Sequence, residues 1–388
     1  MNLKGKLGLK LVGLLIFVWM ITGCVISPRR TLGGSSDTSS GSPSPTPTPV
    51  STPTPTPIPT PTPTPIPTPT PSPTPTPTPA QPTGQLYVTS GTQDSITRFD
   101  NAFAATGNVT PAATITGTAT TLSQPVYLAV DSTTDTLYVA SRNDASVVVF
   151  DQASAKTGNA SPSRKIAGVA TTLFVPTQVF LDKARDLLYV ADELDILVFS
   201  PASTANGNLP PQRDIVPGGT IGAIYLDSTN DRLFVADPAG NAIDIYDSAS
   251  TLNGSVTATR QISGASTGLD GPAGLEIDGG GRLIVGNASP TNGAPSITFY
   301  NAASASGDIA PAATVTGSST GLVEPNQLAI DIANDTLYVA DPGAGKVLIF
   351  ANQSTASGNV PPTRSISGAA TTLSTTASNT GIALDTAR

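Results

Sequence analysis

Beyond residue 84 the chain alternates apolar and polar positions in short runs, and the runs return at a nearly fixed interval. Leu86-Tyr87-Val88, Leu137-Tyr138-Val139, Leu188-Tyr189-Val190, Leu233-Phe234-Val235, Leu283-Ile284-Val285 and Leu337-Tyr338-Val339 lie 51, 51, 45, 50 and 54 residues apart. Six copies of about 50 residues are the mark of a repeat architecture. Each copy continues into a second alternating run that ends in an aromatic residue: Phe99, Phe150, Phe199, Tyr246, Tyr300 and Phe350. Period-two alternation predicts strands, because successive side chains of a strand point to opposite faces.

A loop follows with Gly107-Asn108, Gly158-Asn159, Gly207-Asn208, Gly307-Asp308 or Gly358-Asn359, and a proline stands four residues after each glycine. These residues favour turns, the glycine by permitting left-handed geometry and the proline by fixing φ. The fourth repeat departs, with Asn253-Gly254 in reversed order and no matching proline. A third strand is expected at Ala113 to Gly117, Arg164 to Gly168 and Arg364 to Gly368. A fourth run ends in Asp131, Asp182, Asp227, Asp278, Asp331 and Asp385, and four of these have a second aspartate four residues on. That spacing admits a calcium turn, but its recurrence points to side chains that cap nearby backbone N–H groups.

Four short strands in each of six units predict an all-β, six-bladed β-propeller. The domain opens on a Leu-Tyr-Val strand and closes on Gly381 to Asp385, the run that the first copy lacks. The expected ring is therefore closed by a blade built from both ends of the sequence. At Pro325 to Asp331, Asp335 to Asp341 and Val347 to Phe350 the repeat resembles those of NHL and related TolB-like six-bladed propellers. The resemblance covers residues 85–388. It implies a range of roles, because such propellers include protein- and RNA-binding modules, cell-surface proteins and metal-dependent lactonases of the gluconolactonase type.

In this topology the run ending in aspartate is the innermost strand and lines an axial channel. The positions two and four before each aspartate read Tyr127/Ala129, Gln178/Phe180, Ala223/Tyr225, Gly274/Glu276, Gln327/Ala329 and Gly381/Ala383. Gln178, Tyr225, Glu276 and Gln327 are the candidate ligand-binding residues. Ligands are expected at the mouth that carries the blade-to-blade connections and the turns between strands two and three. The Leu-Tyr-Val strands end there, at Ser90, Ser141, Asp192, Asp237, Asn287 and Asp341; Asp192, Asp237 and Asp341 are candidate oxygen ligands for a divalent cation. Turn aspartates account for them equally well. No other cofactor is expected.

Composition narrows the chemistry. The chain has no His, one Cys, only three Glu (193, 276 and 324) and a formal charge of −8. Ser-His-Asp and Cys-His catalysis are excluded, disulfides within the chain and thiolate zinc sites are impossible, and nucleic acid is not an expected partner. No catalytic residue is assigned.

The first 84 residues are of another kind. Lys4, Lys6 and Lys10 precede an apolar stretch, Leu11 to Ile21, too short to span a bilayer, and Ile21-Thr22-Gly23-Cys24 resembles the bacterial lipobox. Residues 1–23 are expected to be a lipoprotein signal peptide, with Cys24 the lipidated residue that attaches the chain to a membrane. Val25 stands where an Asp would signal inner-membrane retention, so the outer membrane or cell surface is expected. Residues 24–84 form a linker, first rich in Gly and Ser and then a Thr-Pro run, with 19 prolines from Pro43 to Pro82. Such a run cannot build a core and favours an extended polyproline II stalk. The expected whole is a monomeric, anchored binding module without catalysis, its partner an envelope protein or glycan. A lactonase-type hydrolase and a surface adhesive protein are the alternatives.

Overall fold

The computed structural model describes residues 83–288, 293–373 and 381–388, together with residues 56 and 57. The chain divides into two units, Met1–Pro75 and Thr76–Arg388. In the first, only Thr56 and Pro57 are described, both exposed. The signal segment, Cys24 and the rest of the Thr-Pro run lie outside the described residues. Among the described residues no helix is long and apolar enough to cross a membrane.

The second unit is a ring of six antiparallel sheets. Blade one is Ile382–Asp385, Gln85–Ser90, Ser95–Asp100 and Ala113–Thr116, from the axis outwards. Its inner strand comes from the far end of the sequence, with Leu86 opposite Leu384 and Val88 opposite Ile382. The expected closure is thus present. Blade two is Pro125–Asp131, Thr136–Ser141, Ser146–Asp151 and Arg164–Ala167, and blade three is Pro176–Asp182, Leu187–Asp192, Asp195–Phe199 and Arg213–Val216. Blade four is Ala223–Asp227, Arg232–Asp237, Ala242–Asp247 and Arg260–Ser263. Blade five is Pro272–Ile277, Arg282–Asn287, Ser296–Asn301 and Ala313–Thr316, and blade six is Leu328–Asp331, Thr336–Asp341, Lys346–Ala351 and Arg364–Ile366.

The core is divided into six wedges, one between each pair of neighbouring blades. Between blades two and three, for example, Tyr138, Val147 and Val149 pack against Leu188, Val190 and Phe199. This explains the sequence pattern. A propeller sheet has a neighbour on both faces, so both sets of alternating positions in the second and third strands are buried.

The Gly-Asn loops do more than turn the chain. Each swings onto the outer strand of the preceding blade and pairs with it in parallel: Gly158 with Ile115, Gly207 with Ile166, Gly307 with Ile262, Gly358 with Val315 and Gly107 with Ile366. Gly158 N–H donates to Thr114 O at 2.7 Å, and Thr116 N–H returns to Gly158 O at 2.9 Å. The following Asn or Asp side chain accepts from the backbone just past that strand, as Asn159 Oδ1 does from Ala119 N–H at 2.7 Å. The irregular fourth repeat keeps this device. Gly254 still pairs with Ile215, while Asn253, now one place earlier, accepts from Asp214 N–H.

The aspartates at the inner-strand ends are turn caps, as their recurrence suggests. Asp131 accepts from Thr133 N–H at 2.9 Å, Asp227 from Asn230 N–H at 3.0 Å and Asp385 from Ala387 N–H at 2.9 Å. The second aspartates brace the loop after the third strand: Asp135, Asp186, Asp231 and Asp335 each take the N–H and Oγ of Ser154, Ser203, Ser250 and Ser354 respectively.

Candidate ligand cavity

The inner strands run from the rim of the blade-to-blade connections, here the upper face, to the rim of the capped aspartate turns, the lower face. The six positions nearer the upper face are Tyr127, Gln178, Ala223, Gly274, Gln327 and Gly381, and all are buried. Tyr127 closes that end. Its side chain spans the axis from blade two, and its hydroxyl, with one proton to share, lies 3.1 Å from Ala273 O of blade five and against Asn326 Oδ1 of blade six. Neighbouring inner strands also press close together at this level. A Cβ on Gly274 would lie 1.8 Å from Asn326 O, and one on Gly381 would lie 2.2 Å from Val126 O. Ligand entry from the upper mouth, expected from the sequence, is therefore corrected by a channel that a tyrosine has filled.

Two residues further along each strand the channel widens into a cavity of about 240 Å³. At this level Ala129, Phe180, Tyr225 and Glu276 are only half-buried. Lys183, on the lower-face turn of blade three, also lines it, and nearly half of its side chain is solvent-exposed. The opening is on the lower face, where the chain also enters the ring: Gly84 N–H bonds Arg388 O, and Ala102 N–H bonds Gly84 O.

The wall is lopsided. Blades three, four and five contribute Phe180, Tyr225 and Glu276, whereas blades six, one and two contribute Ala329, Ala383 and Ala129. Phe180 and Tyr225 meet edge to face, 5.2 Å between centroids at 70°, a favoured aromatic arrangement. Burial pushes the Glu276 carboxyl up to about 8, against which the Ile277 backbone N–H gives a smaller stabilisation of the anion. Glu276 is therefore mostly protonated at neutral pH. The Tyr225 hydroxyl is raised too, first by burial and then by the charge of Glu276.

The four sequence candidates do line one cavity, but they differ in what they offer. Gln178 is committed to the fold: its Oε1 accepts from Ile224 N–H at 2.6 Å and its Nε2 donates to Ile224 O at 3.1 Å, joining the inner strands of blades three and four. Gln327 Oε1 likewise accepts from Ile382 N–H, joining blades six and one. Glu276 and Tyr225 remain for a ligand. The alternation did not single out Phe180, the alanine wall or Lys183; the small residues on three successive copies were the signal for empty space.

The rim aspartates are not brought together. Asp192 accepts from Phe174 N–H at 2.7 Å and Val175 N–H at 2.5 Å. Asp341 accepts from the N–H groups of Val323, Glu324 and Ala344 at 2.8, 2.8 and 3.0 Å. Asp237 accepts from Thr220 Oγ1 and from Gly240 N–H at 3.2 Å. Each clamps the connection entering its own blade, a role that Asn287 and Ser141 fill elsewhere by accepting from Asp270 and Ser123 N–H. Burial raises the carboxyls of Asp192 and Asp341 despite these bonds. Among the described residues no three acidic, His or Cys side chains gather so as to hold a metal ion. Asp192, Asp237 and Asp341 are thus each committed to holding the connection of their own blade.

The fold defines a six-bladed β-propeller. It is similar to that of a functionally unknown protein from Desulfotomaculum acetoxidans, with 14% identity over 78% of this chain and 98% of that one and a TM-score of 0.51. A chain of a nidogen/laminin complex gives 16% identity, the same two coverages and a TM-score of 0.49. Hydrazine synthase of Kuenenia stuttgartiensis gives 14% identity over 68% of this chain and 72% of that one, with a TM-score of 0.47. Likeness at these identities concerns the fold alone. No protein-family model matches the chain, and no curated protein sequence does.

Proposed function

We propose that this protein is a lipid-anchored, stalked propeller of the bacterial envelope that binds a small ligand in its axial cavity without transforming it. The observation that carries the reading is the cavity itself. It is blind at the upper end, open at the lower, walled by an aromatic pair, and supplied with one carboxyl, that of Glu276. The anchor reading rests on Cys24 and the residues before it, and the stalk reading on the Thr-Pro run.

The test uses the full-length protein in detergent. A thermal-shift screen of small polar and amphipathic molecules should find stabilisers, since a ligand at 100 times its Kd adds about 2.7 kcal/mol. Ala383→Leu, which fills the empty side of the cavity, should abolish the shift without unfolding the ring. A stabiliser that works equally on Ala383→Leu would place binding elsewhere and sink the cavity reading. Cys24→Ser should move the protein from the membrane to the soluble fraction of cells, and retention in the membrane would overturn the anchor.

A further inference from the structure

We infer that the ligand of the axial cavity is a small organic cation, an alkylammonium or methylated ammonium group, with Glu276 as its counter-ion and Phe180 and Tyr225 as its aromatic wall. This rests on the reading of the cavity as a binding site.

Glu276 is the carboxyl of the cavity that no cation matches. Near the lower face four of the six inner-strand aspartates are matched by a cation, Asp182 with Arg185 at 2.9 Å, Asp278 with Arg282 at 2.7 Å, Asp131 with Lys183 at 3.0 Å and Asp385 with Arg388, while Asp227 and Asp331 accept from Asn230 and Asn334. Glu276 lies two residues from Asp278 and has no cation beside it among the described residues. It is the sole acidic side chain of the cavity wall, and the sole basic one, Lys183, is held by Asp131. A buried carboxyl without a partner is costly when ionised. A ligand that brings the missing positive charge relieves that cost.

The aromatic pair strengthens the assignment. A cation within about 6 Å of an aromatic face is attracted by the ring quadrupole, the more strongly as water is excluded. Tyr225 stands between Phe180 and Glu276 on successive blades, and the alanine wall opposite leaves the space in front of them free. An anion would meet Glu276 with no unpaired cation to hold it. A neutral polyol would use Glu276 as a protonated donor and leave that proton in place.

This difference supplies the test. The charged or titratable groups that face Glu276 or the cavity mouth are Tyr225, Lys183, Asp131 and Asp227, whose charge acts on Tyr225. Burial keeps Tyr225 neutral, and Asp131 is held below its ordinary value by its bonds to Lys183, Thr133 and Thr134, outweighing its own desolvation. Glu276 is left as the group that changes charge. Binding of a cation should release about one proton at pH 7, and affinity should rise about tenfold from pH 6 to pH 7.

Calorimetry of the full-length protein in detergent, in two buffers of different ionisation enthalpy, reads both effects. The probes are tetramethylammonium and n-butylammonium, set against glucose, n-butanol and butyrate. The expected result is binding of the ammonium probes with proton release, both lost in Glu276→Gln while its melting curve stays cooperative. Glucose or butanol binding without proton release, in place of the ammonium probes, overturns the cation assignment and leaves the cavity reading standing. Absence of binding by every probe overturns both.

Discussion

The Arg364 guanidinium lies 3.0 Å from the carbonyl oxygen of Ala102 and 2.9 Å from that of Ala105, fastening the outer strand of blade six to the loop of blade one. The equivalent arginine makes a like contact at three more interfaces of the ring. Arg164 reaches Ala202 and Ala205, Arg213 reaches Ala249 and Leu252, and Arg260 reaches Ala305. In blades one and five the equivalent outer position is Ala113 or Ala313, and an arginine from a strand further in takes over. Arg98 bonds Ser154 O of blade two, and Arg282 bonds Gln353 O of blade six while lying 4.8 Å over the Phe299 ring.

Arg364→Ala should therefore weaken the closing interface specifically. Hydrogen bonds from a charged donor contribute about 1.5–3 kcal/mol when partly buried, so a loss near 2 kcal/mol is expected in urea unfolding. Arg364→Lys keeps a charged donor for the two carbonyls, which a single nitrogen, Nη1, already meets, and should recover part of the loss, the bond to the Tyr338 hydroxyl being the part most exposed to the change of shape. An unchanged midpoint for the alanine variant would show that this contact is ornamental.

Gly107 and Gly368 meet at that same interface and should respond differently to alanine. Gly107 has φ +75° with open space where a Cβ would go, so the cost is backbone strain of about 1 kcal/mol. Gly368 has φ 118° and ψ 170°, a region that belongs almost wholly to glycine, and its Cβ would lie 2.5 Å from Asn108 Oδ1. Gly368→Ala should lower the melting temperature at least twice as far as Gly107→Ala. Equal shifts would mean that Asn108 yields freely.

Glu276 should make stability depend on pH. Its carboxyl is raised to about 8 in the folded chain, from an ordinary 4.5. Between these values the folded state holds a proton that the unfolded chain has lost. Stability is therefore full below about pH 4.5 and falls as pH rises towards 8, by at most about 1.4 kcal/mol per unit from this group. Glu276→Gln should flatten the profile from pH 6 to pH 8, and a variant that keeps the wild-type slope would assign that slope to another group.

Removing residues 381–388 should open the ring. The loss strips Leu86 and Val88 of their inner-strand partners and takes away Arg388, whose carbonyl receives Gly84 N–H. The truncated chain should melt well below the intact one and bind a hydrophobic dye. Melting at the intact temperature would refute closure by the shared blade.

Much of this architecture was legible because a repeat presents the same physical problem six times. Strand alternation and capped Asp turns are local patterns that recur in register, and the closing blade was legible because the run that the first copy lacks stands at the far end of the sequence. The level of the cavity was legible as well, since Tyr225 and Glu276 fall at matching positions. What escaped was set by contacts between copies. Whether Tyr127 points out of the channel or across it depends on Gly274, about 150 residues away, and on the side chain of Asn326. The exchange of Arg164-like positions for Arg98 and Arg282 is invisible in sequence, because either arginine reaches the same loop only once the blades stand side by side. The rim aspartates look like metal ligands in one dimension and are backbone clamps in three.

Each blade carries both halves of its fastening: a Gly-Asn loop that reaches backwards and an outer strand that receives the next loop. An arc of fewer than six blades would end with an empty receiver on one side and an unused loop on the other. Those ends are complementary, so incomplete arcs are built to join head to tail with one another, in the manner of any heterologous interface that has not closed on itself. Completing the circle within one chain is what removes both sticky ends at once.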